Sequence, residues 1–202
     1  MSSIPRGHYG CVLADPPWPY RSSDLKASPT HRPKSWSRPT GGVSSTKRYG
    51  ALSIAQLCAM PIKGLAADNA HLYLWTTNAF MVEAHAVARA WGFEPKTIVT
   101  WCKHHQGDPT RPSMKMGYYF RGATEHCLFA VRGRMRLQTS VARPTWFAAP
   151  RGRHSAKPDC FRRIVEASSS GPYLELFARE ESSGWDTWGN QAPGAKSWEL
   201  TG

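Results

Sequence analysis

Asp15-Pro16-Pro17-Trp18 is the stretch of this 202-residue chain best equipped for chemistry. The apolar run Cys11-Val12-Leu13-Ala14, bounded by Gly10, precedes it and reads as a buried strand. Proline has no N–H to give to a ladder, so that strand must end at Asp15. The carboxylate then lies at the carboxyl end of a strand, where open α/β sheets form their ligand crevices. Pro16 adds a carbonyl acceptor on a rigid backbone, and Trp18 adds a broad aromatic face. Such a set suits a planar base bearing an exocyclic amine: two oxygens take its two N–H bonds and Trp18 stacks on the ring. Asp-Pro-Pro alone would serve equally as a proline turn, and the strand before it and Trp18 after it favour the chemical reading.

Other residues with chemical potential lie downstream. Glu175 interrupts the apolar run Tyr173–Ala178, and a buried acid needs a partner, either a basic side chain or a ligand such as ribose hydroxyls. Cys102, His104 and His105 lie close together, and His126-Cys127 forms a second pair. Neither shows clean zinc-ligand spacing, so no metal site is expected. No Gly-x-Gly-x-x-Gly fingerprint supports a nicotinamide or flavin reading.

The net charge of +12 calls for a polyanionic partner, of which nucleic acid is the usual one. No apolar run approaches the roughly 18 residues of a membrane span, and no signal peptide is read at Met1. Five scattered cysteines describe no disulfide framework and read as reduced, in a cytoplasmic, non-secreted protein. Nine tryptophans are many; most belong to the core, while Trp36 and Trp146, beside basic residues, are candidate base-stacking platforms.

Elements that would position these residues follow in order. Residues 19–48 form a long basic loop, with seven Lys/Arg and one acid between Arg21 and Arg48. Loops of this length are functional or disordered, and its place after the proposed base pocket makes it a mobile, substrate-gripping loop. Ser53 and Gln56 form a capping box, with Leu52 and Leu57 as staple, so a short helix starts at Ile54 and ends near Met60-Pro61. His71–Thr76 reads as a strand, and Phe80, Ala84, Val87, Ala88 and Trp91 as a helix capped by Asn78 and stopped by Gly92. Thr97–Trp101 and His126–Val131 are strands flanking a basic loop over residues 103–121. Six arginines and no acid occupy Arg132–Arg153, where a hairpin or an edge strand is expected near Met135–Gln138 and Trp146–Ala148. Pro158 is the first residue of a helix closed by Gly171, and Tyr173–Ala178 is the last strand read. Alternating strands and helices point to a parallel, doubly wound sheet.

These landmarks resemble, in order, those of the DPPW-type adenine-N6 methyltransferases, typified by the catalytic subunit of the eukaryotic messenger-RNA methyltransferase, with bacterial and phage relatives. They are Asp15–Trp18, Tyr49-Gly50, Leu72–Trp75, Trp91-Gly92-Phe93, Trp101, Glu125-His126-Cys127, Lys157-Pro158, Leu174–Arg179 and Gly189-Asn190-Gln191. The resemblance implies one domain over residues 1–202, with a Rossmann-like α/β fold permuted so that the catalytic strand precedes the cofactor strand. It implies S-adenosylmethionine as cofactor and Asp15, Pro16, Pro17 and Trp18 as catalytic residues. Asp15 would also contact the cofactor's amine, Lys157 its methionine carboxylate, Glu175 and Arg179 its ribose, and Asn190 and Gln191 its adenosine. The family often carries His before Lys-Pro, where this chain has Ala156.

The reaction implied is methyl transfer to the N6 amine of adenine in nucleic acid, DNA rather than RNA. Arg21, Lys34, Arg38, Lys47, Arg48, Tyr49 and Trp101 are the expected nucleic-acid contacts, and a partner subunit or homodimer is compatible with the sequence. The competing expectation is a catalytically silent nucleic-acid-binding module of the same fold, against which the retained Asp15, Lys157, Glu175 and Asn190 stand.

Overall fold

β1 (Tyr9–Ala14) is buried along its whole length and has a parallel neighbour on each side. It is the element from which Asp15 projects. The computed structural model describes residues 7–20, 51–114, 119–138, 143–152 and 156–189. In chain order the remaining elements are α1 (Ile54–Ala59), α2 (Ile62–Leu65), β2 (Ala66–Thr76), α3 (Met81–Ala90), β3 (Glu94–His105), β4 (Asp108–Pro112), β5 (Thr124–Arg132), β6 (Trp146–Pro150), α4 (Asp159–Ser168), β7 (Tyr173–Leu176) and β8 (Trp185–Trp188).

One sheet runs β4-β3-β5-β2-β1-β7-β8, and β6 pairs with β3. The expectation of a parallel sheet is corrected: β5 lies antiparallel between β2 and β3, and β4 is antiparallel to β3. β1, β2, β7 and β8 run parallel to one another, and β6 runs parallel to β3. Residues 119–123, which lead into β5, form no helix, and a strand not fed by a crossover helix is free to run backwards. Its amino end, at Thr124-Glu125, therefore meets the carboxyl ends of β2 and β3.

Alternation along β1 divides the core. Val12 and Ala14 face α1, α2 and α3, whereas Cys11 and Leu13 face α4 through Phe161 and Val165. Helices on both faces explain why β1 is apolar at every position. The Ser53 capping box forms as expected, with Gln56 N–H donating to Ser53 Oγ at 3.2 Å and Ser53 N–H to Gln56 Oε1 at 2.9 Å. Trp91 Nε1 donates to Leu57 O at 2.7 Å and ties α3 to α1.

Several boundaries differ from the sequence reading. Asn78 begins a 3-10 turn and caps nothing; α3 starts at Met81. β3 continues to His105, and β4 lies inside the stretch expected to be loop. β6 is the expected strand near Trp146, and Met135–Gln138 is not a strand. Pro158 is the N-cap of α4, which closes at Ser168–Ser169 and not at Gly171. β7 ends at Leu176 because Phe177 turns into the left-handed region, φ 62°. All five cysteines are unpaired. No helix among the described residues is long and apolar enough to cross a membrane.

Candidate active site

The backbone after β1 folds back on itself: Trp18 N–H donates to Pro16 O and Tyr20 N–H to Trp18 O, both at 2.9 Å. These tight turns leave the Pro16 carbonyl one remaining lone-pair direction. Leu52 N–H donates to Pro17 O at 3.2 Å and ties the segment that leads into α1 to the same motif.

Trp18 is buried, with Nε1 donating to Trp75 O at 3.0 Å and its ring stacked on Phe80 at 5.5 Å. Its ring is held in place by these contacts, with Phe80 on one side. The role expected of Trp101 is corrected. It is 2% exposed and donates to Ala149 O at 3.0 Å, which makes it core and not a nucleic-acid contact. Trp146 is exposed on β6, as a stacking platform would be.

Charge of alternating sign runs across the carboxyl ends of the strands. Lys103 on β3, with only 2% of its side chain exposed, pairs with Glu125 at the start of β5. Glu125 Oε2 lies 3.5 Å from Lys157 Nζ, and Lys157 donates to Asp15 Oδ2 at 2.7 Å. Arg179, just past β7, lies 3.9 Å from the same Asp15 oxygen. Lys157 Nζ also rests over the buried Trp75 ring, 5.1 Å from its centre. Burial alone would lower the Lys157 ammonium, but Asp15 and then Glu125 outweigh it and hold it above its ordinary 10.5. The lysine is a permanent cation here.

Glu175 faces α4 beside Leu13, its register partner on β1. It sits one strand across and two residues back from Asp15, about 8 Å between Cα atoms from strand spacing. A basic side chain, one of the two partners open to it, is present: Arg162 on α4 donates to Glu175 Oε2 at 2.7 Å. Burial pushes the Glu175 carboxyl up, and Arg162 pulls it back only in part. The chain packs closely beyond β7: a Cβ on Gly189 would meet Ala178 O at 2.4 Å, so only glycine lets β8 finish against the turn that presents Arg179.

Of the residues expected from sequence, the structure brings Asp15, Pro16, Lys157, Glu175 and Arg179 to one end of the sheet. Arg21, Lys34, Arg38, Lys47, Arg48, Tyr49, Asn190 and Gln191 lie outside the described residues. Lys103, Glu125 and Arg162 were not foreseen. The signal for Lys103 was partial: it follows the run Ile98–Cys102 near the end of β3, whereas Glu125 stands between Thr124 and His126 at the start of β5 and interrupts nothing. Cys102, His104, His105, His126 and Cys127 form no metal-holding group among the described residues. A cavity of about 330 Å³ opens along β8 between Tyr9, Glu181 and Trp188, and no member of the ionic row lines it.

A carboxylate that ends a buried strand, followed by Pro-Pro-Trp and flanked by Lys157 and Arg179, thus stands at one end of a mixed α/β sheet. The chain belongs to the MT-A70 family, whose profile matches residues 9–191. It is similar to the type II methyltransferase M.MunI of Mycoplasma sp, 28% identical over 96% of this chain and 82% of that one. Similarity extends to the N(6)-adenosine-methyltransferase MT-A70-like protein of Drosophila melanogaster, 26% identical over 94% of this chain. It is 25% identical to the N(6)-adenine-specific methyltransferase METTL4 of Homo sapiens over 92% of this chain. This chain spans only 28% and 38% of those two proteins.

Proposed function

We propose that this protein transfers a methyl group from S-adenosylmethionine to the exocyclic N6 amine of adenine in nucleic acid, DNA in preference to RNA. The observation that carries the reading is Asp15 at the carboxyl end of β1, beside the Pro16 carbonyl and in contact with Lys157. Family membership supports the reaction type. The preference for DNA is the part of this reading that the comparison of polymers below decides.

The donor set suits the cofactor's polar groups. Lys157 and Arg179 are cations for a carboxylate, and Asp15 and Glu175 are acids for an amine and a ribose diol. Asn190 and Gln191 complete the proposed cofactor contacts at its adenosine. When bound, the cofactor supplies an activated methyl group on a sulfonium. Order along the chain supports a permuted, single-domain Rossmann-like fold: β1 carries the catalytic acid, and β7, later in the chain, lies beside it with Glu175.

Adenine's amine is a poor nucleophile because its lone pair is delocalised into the ring. Asp15 and the Pro16 carbonyl accept its two N–H bonds, draw the nitrogen toward tetrahedral geometry and stabilise the positive charge that develops on it. Trp18, fixed by Trp75 and Phe80, walls the pocket and excludes water. Holding the reacting atoms in line contributes up to about 7–11 kcal/mol. Flipping the base out of a duplex costs a few kcal/mol, which phosphate contacts from the basic residues 21–48 offset.

Labelled-methyl transfer to duplex DNA, single-stranded DNA and RNA, followed by nucleoside analysis, tests the reading. Label recovered as N6-methyladenine, most of it from DNA, is the expected result. Cofactor binding without transfer to any polymer would overturn it for the chain acting alone.

A further inference from the structure

Arg162 is held from several sides. It donates to Glu175 at 2.7 Å, and its guanidinium lies over the Trp185 ring at 5.9 Å. Trp185 is itself fixed, donating to Glu166 Oε1 at 2.7 Å and stacked on Tyr173 at 4.8 Å. Among the described residues Arg162 Nε is buried with no hydrogen-bond partner, so the described bond of this guanidinium is the one its terminal nitrogen makes to Glu175. Glu175, 18% exposed against 30% for Arg162, is the more enclosed partner and shares the α4 face of the sheet with Asp15.

We propose that Arg162 is a positioning residue: it holds one oxygen of Glu175 so that the carboxylate is presented to the ribose hydroxyls of the methyl donor. This rests on the reading of the site as an S-adenosylmethionine pocket. A carboxylate accepts through several lone pairs, so one oxygen can be tied to a guanidinium while hydroxyl groups donate to the other. Among the described residues, the charged groups that weigh most on Glu175 are Arg162 on α4, Asp15 at the end of β1 and Glu180 beyond β7. Two of the three are acids, and both favour its protonated form; burial does the same. Arg162 is the cation that opposes them most strongly among the described residues. Without it Glu175 takes up a proton more readily, and a protonated carboxyl is a weaker acceptor for two hydroxyls.

The test is equilibrium binding of S-adenosylhomocysteine to the full chain between pH 5.5 and 8.5, for wild type, Arg162→Met, Arg162→Lys and the exposed control Arg163→Met. Arg162→Met should bind roughly tenfold more weakly at the acid end, with the deficit shrinking as pH rises and Glu175 ionises. Arg162→Lys should recover most of the loss, and Arg163→Met should match wild type. With an analogue lacking the 2′ and 3′ hydroxyls, wild type and Arg162→Met should bind alike. Equal affinity of Arg162→Met and wild type at every pH would overturn the role. So would a pH-independent loss that Arg162→Lys does not recover, which marks a purely structural contribution. If wild type itself binds neither ligand, the cofactor reading fails first and this inference falls with it.

Discussion

Lys157 donates to the Asp15 carboxylate at 2.7 Å, joining the start of α4 to the end of β1 across 142 residues of chain. The acid that must accept hydrogen bonds from an amine is therefore oriented by a cation, and that cation is shared with Glu125 at 3.5 Å. Lys157→Met leaves Asp15 and Glu125 without the charge between them. Methyl transfer should fall at least about a hundredfold, the scale of losing one preorganised electrostatic contact. Lys157→Arg should recover part of it. Single-turnover rates with labelled donor would check this, and a Lys157→Met rate within threefold of wild type would refute it.

Lys103 is a nearly enclosed cation whose carboxylate partner is also mostly buried. Lys103→Met should destabilise the fold by about 3 kcal/mol, the low end for breaking a buried pair, because Glu125 keeps Lys157. Adding Glu125→Leu should restore part of that loss by removing the carboxylate that Lys103 no longer faces. Urea denaturation of the single and double variants measures both, and a single-variant loss under about 1 kcal/mol would contradict this role.

Acid should weaken the fold through His71. Its Nε2 lies 3.2 Å from Met135 O, which can only accept, so Nε2 carries the proton and Nδ1 accepts from Ser169 Oγ at 2.8 Å. Tyr73 then donates to the same Ser169 oxygen at 2.8 Å. Burial lowers His71, and with it His126, below the ordinary 6.5. A depressed folded value means full stability above pH 6.5, lost as pH falls toward the folded value. Melting temperature should be level from pH 8 to 7 and decline between 6.5 and 5. His71→Gln should flatten part of that decline, leaving the share due to His126.

Ser53→Ala removes one half of the capping box and leaves Gln56 N–H without its acceptor. The expected cost is about 1 kcal/mol, read as a lower urea midpoint at unchanged slope. Ser53→Asp should retain most of the stability, since an aspartate also caps and favours the helix dipole.

Local chemistry explains which parts of this architecture were legible in the sequence. The end of β1 at Asp15 and the start of α1 at Ser53 are decided within four residues, by missing proline donors and by a reciprocal cap. The reversed strand β5 was not legible, because strand direction depends on which neighbours it joins and His126–Val131 reads alike in either sense. Trp18 and Trp101 were assigned open aromatic roles, yet both are buried and both send Nε1 to a carbonyl on another strand. Burial of a tryptophan is a tertiary property that its neighbours in sequence do not carry. Glu175 was recognised as needing a partner, but the choice of Arg162 required knowing that α4 crosses β7.

Asp15→Asn is the most direct measurement, because it keeps the shape of the side chain and removes its charge. Labelled-methyl transfer to adenine-containing DNA should drop by roughly a hundred- to a thousandfold, with the melting temperature near that of wild type. Transfer at close to the wild-type rate, or label recovered on an atom other than the adenine N6 amine, would contradict the role assigned to Asp15 and the reaction built on it.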